Sequence, residues 1–502
     1  MTFNQGVAGS SPAWLIVVSS GKPGLFFIIT ENNMEVDRLA KVWYNVREGK
    51  VNIASSKGKQ MIVEGIRKIS KDIIQKAIVI GLIALIFVLP IPQFIMPIYF
   101  TKAILIQTTL LRLFLIYFSF LFAIELINKR VHFCGNKWVW ISLLGLAVIG
   151  FVSVVRADDW ILALYGLNKG EGYFSLLAYY MIFLMTTLLE EKRYLQILWK
   201  AFLLFGVLIS LVGIVQFTGF YRFGFLYPGM AYVPMRNPNF YGAFAVLFTG
   251  AAIGGFFLYR KDSAVTHPVS RWNRSVWYGL VLLGYAACIS AASSLVYAGL
   301  IMMLLLYLFL EIGSGRKQIL PFFGLIVGFV VVMILFDILS GGAVIGELFS
   351  VGYQIQEEGT IFGDHVGSSR MLIWKQTVAL LPEYGWFGCG LEQLGMLCLD
   401  TYGIENGIQF DKAHNEYLNL WITEGIFALV FYLIFLFALF IPGLKQFFGG
   451  EKKKARLSKI AFFAFFGYIA QAFFNISVVQ VAPYFWMICG LLCRGLLSKG
   501  KA

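Results

Sequence analysis

The chain contains one long polar insertion, residues 341–418, which reads GGAVIGELFSVGYQIQEEGTIFGDHVGSSRMLIWKQTVALLPEYGWFGCGLEQLGMLCLDTYGIENGIQFDKAHNEYL. Apolar runs long enough to cross a membrane precede and follow it, at about residues 320–338 and 418–444. A connection of this length is usually either functional or disordered. Because its tryptophans and leucines argue against disorder, we interpret residues 339–417 as the functional part and the apolar runs as its scaffold.

The composition of the whole chain indicates a membrane protein. Of its 502 residues 59% are hydrophobic and only 14% are charged, and the mean hydropathy is +0.76. Soluble domains carry about a quarter charged residues, and repeated apolar runs of about 20 residues are typical of membrane spans. The sequence therefore predicts an all-α, polytopic helical membrane protein.

The positive charges set the predicted topology. The net charge of +14 would suggest nucleic acid in a soluble protein, but here the lysines and arginines lie mostly in short loops, where they mark the cytoplasmic side. We therefore expect no nucleic-acid partner. Their alternation predicts about twelve spans with both termini in the cytoplasm, which places the large loop outside, between the ninth and tenth spans.

Two regions follow from this topology. We expect residues 71–496 to form the membrane domain and residues 1–70 to form an N-terminal cytoplasmic extension to which we assign no role. This extension is either a small cytoplasmic appendage or a poorly ordered leader. Within the extension, two β-rich runs, 14–18 and 25–30, flank a turn-forming segment as a hairpin would, and residues 35–47 are expected to be helical.

Few residues suggest metal or thiol chemistry. The six cysteines show no zinc-binding spacing, and the acids of the loop form no Asp-x-Asp pair, so we expect no metal and no cofactor. Cys389 and Cys398 could form a disulfide if the loop faces an oxidising compartment; the alternative is two free thiols. Glu424, on the helix after the loop, fits a buried functional acid and an interfacial residue equally well.

Two arginines lie on the predicted outer side, where basic residues are scarce. Arg236 precedes the sixth span beside Asn237 and Asn239, and Arg370 lies close to Trp374 in the loop. One interpretation is that both guanidinium groups reach lipid headgroups from the membrane edge. The other is that they bind a phosphate or pyrophosphate, which suits the planar donor fork of arginine, with the neighbouring side chains contacting the same substrate.

His414 precedes the tenth span. An imidazole can accept and release a proton near neutral pH. The spacing places His414, Tyr417 and Leu418 on one helix face, and Asn415 can cap that helix. The alternatives are that His414 is a capping or core residue, or that His365, in the same loop, is the reactive histidine.

Several motifs, in this order, resemble those of the O-antigen ligase / O-antigen polymerase family. They are Asn237-Pro-Asn-Phe-Tyr-Gly242, Ser369-Arg-Met-Leu-Ile-Trp374, the Gly388-Cys-Gly390 turn, and His414-Asn-Glu-Tyr-Leu418 followed by Glu424-Gly425. The resemblance covers about residues 236–444 and excludes the first seventy. One departure is that many members carry Ser-Arg-Gly where this chain reads Ser293-Ser294-Leu295.

The resemblance implies a metal-independent, inverting glycosyltransferase of the cytoplasmic (inner) membrane. Members transfer a glycan from undecaprenyl pyrophosphate to a hydroxyl of a glycan, lipid or protein acceptor on the outer side. Carried onto this chain, the resemblance makes His414 the general base and assigns the pyrophosphate to Arg370 and Arg236. Substrate contacts would come from five further residues: Asn237, Asn239, Trp374, Asn415 and Tyr417.

Two other classes stay open. A transporter or flippase for lipid-linked glycans would also lie in the membrane, but transporters tend to have repeats and broken helices with polar groups at mid-membrane. A non-catalytic glycan-binding membrane protein would bind without turnover. Because ionisable residues cluster at the predicted outer edge, we favour the enzyme. The sequence leaves the sugar, the acceptor, and the choice between ligase and polymerase undetermined.

Overall fold

The computed structural model describes thirteen stretches of the chain: residues 14–16, 27–29, 63–67, 69–96, 99–131, 133, 136–166, 170–219, 229–258, 274–313, 319–403, 410–448 and 456–497. The chain divides into two compact units, which are described separately. The first comprises Met1–Ile74 and Phe122–Val131, and the second comprises Gln75–Leu121 and His132–Ala502.

A short hairpin belongs to the first unit. Strand β1 (Trp14–Ile16) pairs antiparallel with β2 (Phe27–Ile29), with Trp14 opposite Ile29. The pairing confirms the hairpin predicted from the two β-rich runs. The helix predicted for residues 35–47 lies outside the described residues.

Helices make up nearly all the rest of the described chain. In order they are α1 (Lys71–Val88), α2 (Ile91–Ile95), α3 (Phe100–Ile127), α4 (Lys137–Arg156), α5 (Trp160–Tyr165), α6 (Tyr173–Leu188), α7 (Lys192–Phe217), α8 (Pro238–Leu258), α9 (Arg274–Ser290), α10 (Leu295–Gly313), α11 (Ile319–Ser340), α12 (Ala343–Glu358), α13 (Arg370–Ala379), α14 (Leu381–Tyr384), α15 (Leu394–Tyr402), α16 (Glu416–Glu424), α17 (Ile426–Lys445), α18 (Arg456–Gln471) and α19 (Ala482–Leu497), with a 3-10 turn at Ala472–Phe474 between the last two.

Nine helical stretches in the described part of the chain are long and apolar enough to cross a membrane. Helices satisfy their backbone hydrogen bonds internally, so apolar runs of this length form helices in a bilayer. Three shorter helices, α6, α9 and α19, occupy the remaining predicted span positions. The all-α polytopic class is thus confirmed, whereas the number of twelve spans stays a prediction.

Helix α8 is the most enclosed span. In its most apolar stretch 94% of residues are buried, against 22% in α11. Glycines permit this close approach: a Cβ on Gly250 would lie 2.7 Å from the Cα of Ala464, and one on Gly254 would lie 2.9 Å from the Cα of Ile460. Small residues allow helix backbones to approach in this way, so α18 packs directly on α8.

The tenth span differs from the single helix predicted at residues 418–444. The structure has two helices, α16 and α17, that meet at Gly425. Gly425 has φ +90, and a Cβ there would lie 2.4 Å from the carbonyl oxygen of Trp386. Only glycine adopts this conformation readily, so the helix breaks, and the membrane-length helix begins at Ile426.

The Gly-rich turn of the insertion fills the break. Cys389 N–H donates to the Ile422 carbonyl (2.8 Å) and Gly390 N–H to the Thr423 carbonyl (3.0 Å). Ile426 N–H in turn donates to the Gly385 carbonyl (2.8 Å). The turn therefore satisfies backbone groups that a helix end otherwise leaves unpaired.

The insertion has a hydrophobic core of its own. Helices α13, α15 and α16 enclose a cluster of buried residues: Ile373, Leu380, Leu394, Cys398, Phe410, Ala413 and Ile422. Cys389 and Cys398 are both free thiols in the structure, and burial raises the pKa of each to about 12. The insertion is thus an ordered part of the fold over its described residues.

Candidate functional site

Arg370 is the first residue of α13 and is almost fully buried. Its side chain is 9% exposed, and its Nη1 donates to the Gly367 carbonyl (2.7 Å). Its Nε has no hydrogen-bond partner within the described residues. Burial lowers the pKa of Arg370 to about 10, and the nearby Glu347 carboxylate opposes that shift. At neutral pH the guanidinium therefore stays charged and has a buried N–H available to an acceptor.

The turn before α13 aims this guanidinium. Ser368 and Ser369 have φ +56 and +64, a conformation that non-glycine residues adopt only when the surroundings hold them. Gln354 helps to stabilise this conformation, since its Oε1 accepts hydrogen bonds from Gly367 N–H (2.8 Å) and Ser368 N–H (3.3 Å). Helix α12, which carries Gln354, thereby positions the start of α13.

The Arg236 segment joins two other parts of the chain. Arg236 has φ +72, and the Asn237 side chain accepts from Asn239 N–H (2.8 Å) at the start of α8. The Asn239 side chain accepts from the Ser293 hydroxyl (2.7 Å), and its carbonyl accepts from Asn475 (3.1 Å). Both asparagines are therefore engaged within the protein, and their predicted substrate contact stays a prediction.

The turn between α9 and α10 connects this segment with the Arg370 region. Ser294 N–H donates to Glu347 Oε1 (3.0 Å), and the same carboxylate acts electrostatically on Arg370. The hydroxyl of Ser293, the residue before Ser294, donates a hydrogen bond to the Asn239 side chain. The turn at Ser293 and Ser294 is thus held by an acid from α12.

The His414 backbone is fixed on both sides. Lys412 forms a buried ion pair with Glu392, and Ala413 N–H donates to Asn419 Oδ1 (3.1 Å). Asn415 caps α16 by accepting from Leu418 N–H (3.0 Å), as the sequence predicted. His414 itself has φ +48, an uncommon conformation for a residue with a side chain. His414 is half-buried and lies in a turn that hydrogen bonds hold on both sides.

The 3-10 turn after α18 brings the predicted segments together. The Tyr417 hydroxyl donates to the Ile469 carbonyl (2.7 Å), and its ring lies 4.7 Å from that of Phe473. The ring centroids of Trp374 and Phe474 lie 6.1 Å apart. The Asn475 side chain donates a hydrogen bond to the Asn239 carbonyl. All three segments predicted to carry the site therefore contact residues 469–475.

Sequence reasoning missed this 3-10 turn. Asn475 donates both to the Asn239 carbonyl and to Gln471 Oε1 (3.1 Å). The signal in the sequence is the polar pair Asn475 and Ser477 between two apolar runs, which marks a turn but does not indicate what it contacts. Only the fold reveals that this turn lies against the Arg236, Arg370 and His414 segments.

A cavity of ≈ 70 Å³, lined by both apolar and polar side chains, lies beside the His414 turn. Its polar lining consists mainly of acids and the paired lysine: Glu171, Lys412, Glu416 and Glu424, with Asn419, Thr423 and Ser477. Glu424 Oε2 has no hydrogen-bond partner within the described residues. The Tyr432 hydroxyl donates to Glu416 (2.5 Å), and the Tyr179 hydroxyl donates to Glu171 (2.5 Å).

Burial controls the charge of these acids. It raises the pKa of Glu171 and of Glu416 to about 7 and that of Glu424 to about 8. Lys412 opposes the shift at Glu171 and Glu424. Burial works against the charge of Lys412 as well, but Glu392 and Glu171 outweigh it, so the pKa of Lys412 is raised. Glu424 is buried in the protein, with 3% of the residue exposed. No described group of acids, histidines and cysteines could hold a metal ion.

The fold and the site define a membrane protein in which the segments of Arg370 and His414 lie against one 3-10 turn, with a cavity beside the His414 turn. The family model described as O-antigen ligase matches residues 278–433. This match confirms the family resemblance inferred from the motifs, over a segment that includes Arg370 and His414 but not Arg236. It supports a membrane glycan ligase or polymerase in general. No curated protein matches the chain.

Proposed function

We propose that the protein transfers a glycan from undecaprenyl pyrophosphate to an acceptor hydroxyl on the outer side of the cytoplasmic membrane. The observation that carries this proposal is the buried Arg370, whose Nε has no hydrogen-bond partner among the described residues. Trp374, on the same helix, and Tyr417, which follows the His414 turn, both pack on residues 469–475. A pyrophosphate oxygen is an acceptor that such a guanidinium binds well. The resemblance to O-antigen ligases suggests the lipid-linked donor.

The proposed step is a single inverting displacement. The acceptor O–H bond breaks, the oxygen attacks the anomeric carbon, and the bond from that carbon to the pyrophosphate oxygen breaks. His414 takes the proton as general base, which typically accelerates such a step by about 10²–10⁴-fold. Arg370, with Arg236, stabilises the negative charge that develops on the leaving pyrophosphate.

Paired histidine variants test the proposal. We expect His414→Ala to lower transfer from a defined undecaprenyl-linked oligosaccharide by at least about 10²-fold, with the protein still folded in the membrane. His365→Ala is the control, because the His365 side chain is 62% exposed and only approaches Glu358; its activity should be unchanged. Full activity in His414→Ala would remove the assignment of the base.

A charge-retaining variant tests the guanidinium. Arg370→Lys keeps the positive charge but loses the fork of donors. We expect it to recover only part of the transfer that Arg370→Ala loses. Equal activity of both variants and the unchanged protein would contradict a role for Arg370 in binding the donor.

The proposed orientation has its own test. Glu357, on α12, and Lys445, at the end of α17, are both exposed, and the topology assigns them to opposite sides of the membrane. A membrane-impermeant thiol reagent applied from outside should label Glu357→Cys and not Lys445→Cys. The reverse pattern would contradict the proposed orientation, in which both termini lie in the cytoplasm. It would leave the proposed chemistry unaffected.

A transporter of lipid-linked glycans is the second candidate. The helix broken at Gly425 and the buried acids of the cavity are features that transporters share. Reconstituted vesicles separate the two functions, because a transporter moves lipid-linked glycan across the membrane without making a new glycosidic bond. Binding of glycan with neither movement nor transfer would instead indicate a non-catalytic binding protein.

A further inference from the structure

Helix α12 has an exposed apolar face that no described part of the chain covers. Ile345, Phe349 and Tyr353 follow one another at intervals of four residues and therefore lie on one side of the helix. Their exposures are 37%, 55% and 59%. Within the helix only Val344 is buried. Such a face is unfavourable in water, so it needs an apolar neighbour.

The opposite face of α12 is fixed to the protein by polar contacts. Glu347 accepts from Ser294 N–H (3.0 Å), and Gln354, seven residues later, accepts from Gly367 N–H (2.8 Å). Residues seven apart lie on the same side of a helix. The helix therefore cannot rotate to bury its apolar face without breaking these bonds.

The junction with α11 places the exposed face at a membrane boundary. Helix α11 is a membrane-length helix that ends at Ser340, and its exposed surface includes Leu335, Ile338 and Leu339. Asp337 then holds the start of α12, because its side chain accepts from Ile345 N–H (2.9 Å). Only Gly341 and Gly342 separate the two helices, so the apolar face of α12 begins immediately after the exposed apolar end of α11.

We propose that the face formed by Ile345, Phe349 and Tyr353 is an interfacial membrane anchor whose partner is the lipid of the bilayer that α11 spans. An amphipathic helix parallel to the bilayer buries its apolar side at the headgroup boundary. The exposed face of α12 carries no charged residue before Glu357, near the end of the helix. This distribution agrees with a helix that lies at a shallow depth in the bilayer. Glu357 then lies in water.

The anchor connects the membrane surface to the Arg370 region. Gln354 bonds Gly367 and Ser368, and the Gly367 carbonyl accepts from Arg370. A shift of α12 therefore moves the turn that aims the guanidinium. This consequence rests on the proposed function: lipid contact at α12 would position Arg370 for a donor that is itself a lipid. The membrane anchor does not depend on the proposed function.

Spin labels test the anchor independently of activity. Single labels are placed through Phe349→Cys, Tyr353→Cys and Glu357→Cys, with the unsubstituted protein as the measure of labelling at native cysteines. In phosphatidylcholine nanodiscs, the labels at 349 and 353 should collide more often with oxygen, which concentrates in lipid. The label at 357 should collide more often with a water-soluble nickel complex.

Two outcomes would overturn the anchor. One is a label at 349 that is as accessible to the nickel complex as the label at 357. The other is a label at 349 shielded from both reagents to an extent that grows with the number of copies per disc, which would identify a second copy as the partner. The oxygen pattern without any glycan transfer would keep the anchor and reject the proposed function.

A kinetic variant tests the connection to Arg370. Phe349→Ser should raise the KM for the lipid-linked donor several-fold and leave kcat nearly unchanged, because it weakens positioning rather than chemistry. Glu357→Ser is the matched control on the aqueous end of the same helix and should leave both constants unchanged. An equal KM in Phe349→Ser and the unsubstituted protein would overturn the connection.

Discussion

The polar insertion, taken together with helix α16, consists of two parts that are built differently. The proximal part, residues 341–369, has one helix with a single buried residue and an exposed apolar face. The distal part, residues 370–424, encloses its own hydrophobic cluster and a buried ion pair. The difference teaches that the distal part holds its shape through its own contacts, whereas the proximal part depends on its surroundings.

The two lysine ion pairs of the insertion provide the largest contrast. Lys412→Met should lower the free energy of unfolding by about 3–5 kcal/mol, because it leaves Glu392 charged, buried and unpaired. Lys375→Met breaks the Lys375–Asp364 pair, whose side chains are 48% and 47% exposed, and should cost about 0–1 kcal/mol. Thermal unfolding in detergent measures both. Equal losses would mean that burial does not distinguish the two ion pairs.

Two glycines with φ near +70 sharpen the contrast. A Cβ on Gly388 would lie 2.2 Å from the Thr423 carbonyl oxygen, whereas one on Gly359 would meet no atom within 4 Å. Gly359→Ala should lower the free energy of unfolding by about 1–2 kcal/mol, because only the left-handed backbone conformation disfavours the new side chain. Gly388→Ala should cost more, because the backbone at the helix break must also move. A Gly388→Ala variant as stable as Gly359→Ala would show that the contact between the turn and α16 is loose.

The pH dependence of stability should follow the buried acids. Folding raises the pKa of Glu424 from 4.5 to about 8, so its contribution to stability is fully present below pH 4.5 and is lost as the pH rises toward 8. Between these two pH values, a carboxyl group with a raised pKa lowers the free energy of unfolding by up to about 1.4 kcal/mol for each pH unit.

Apparent Tm measured from pH 5.5 to 8.5 tests the sign of this effect. Glu424→Gln should flatten the slope above pH 6, since the amide stays neutral. Glu357→Gln, which replaces an exposed acid of the proximal part, should leave the slope unchanged. A slope unaffected by Glu424→Gln would assign the pH dependence to other groups.

The smallest expected effect concerns the contact between α12 and the turn that precedes α13. Gln354→Ala removes the acceptor of Gly367 N–H and Ser368 N–H, and we expect a loss of about 0.5–1.5 kcal/mol. Gln356→Ala, at an exposed position of the same helix, is the control and should change nothing. If the two variants unfold at the same temperature, the Gln354 contact does not hold the turn.

The sequence predicted the local features of the site well. Asn415 caps α16, and the two long apolar runs around the insertion are helices. It did not predict the break at Gly425, because the residues on both sides continue the apolar helical pattern. The break depends on the turn at Gly385–Gly390, which lies some forty residues earlier and reaches the helix only in the folded chain.

The sequence by itself determined the all-α membrane class, the order of the apolar helices and the family resemblance. These properties are written in runs of neighbouring residues, whose transfer from water to lipid depends on local composition. The tertiary structure alone decided that the Arg236, Arg370 and His414 segments meet at residues 469–475, and that Glu171 joins Glu416 and Glu424 around one cavity. Such contacts join residues far apart in the chain, and their energies depend on packing and burial that no local pattern specifies.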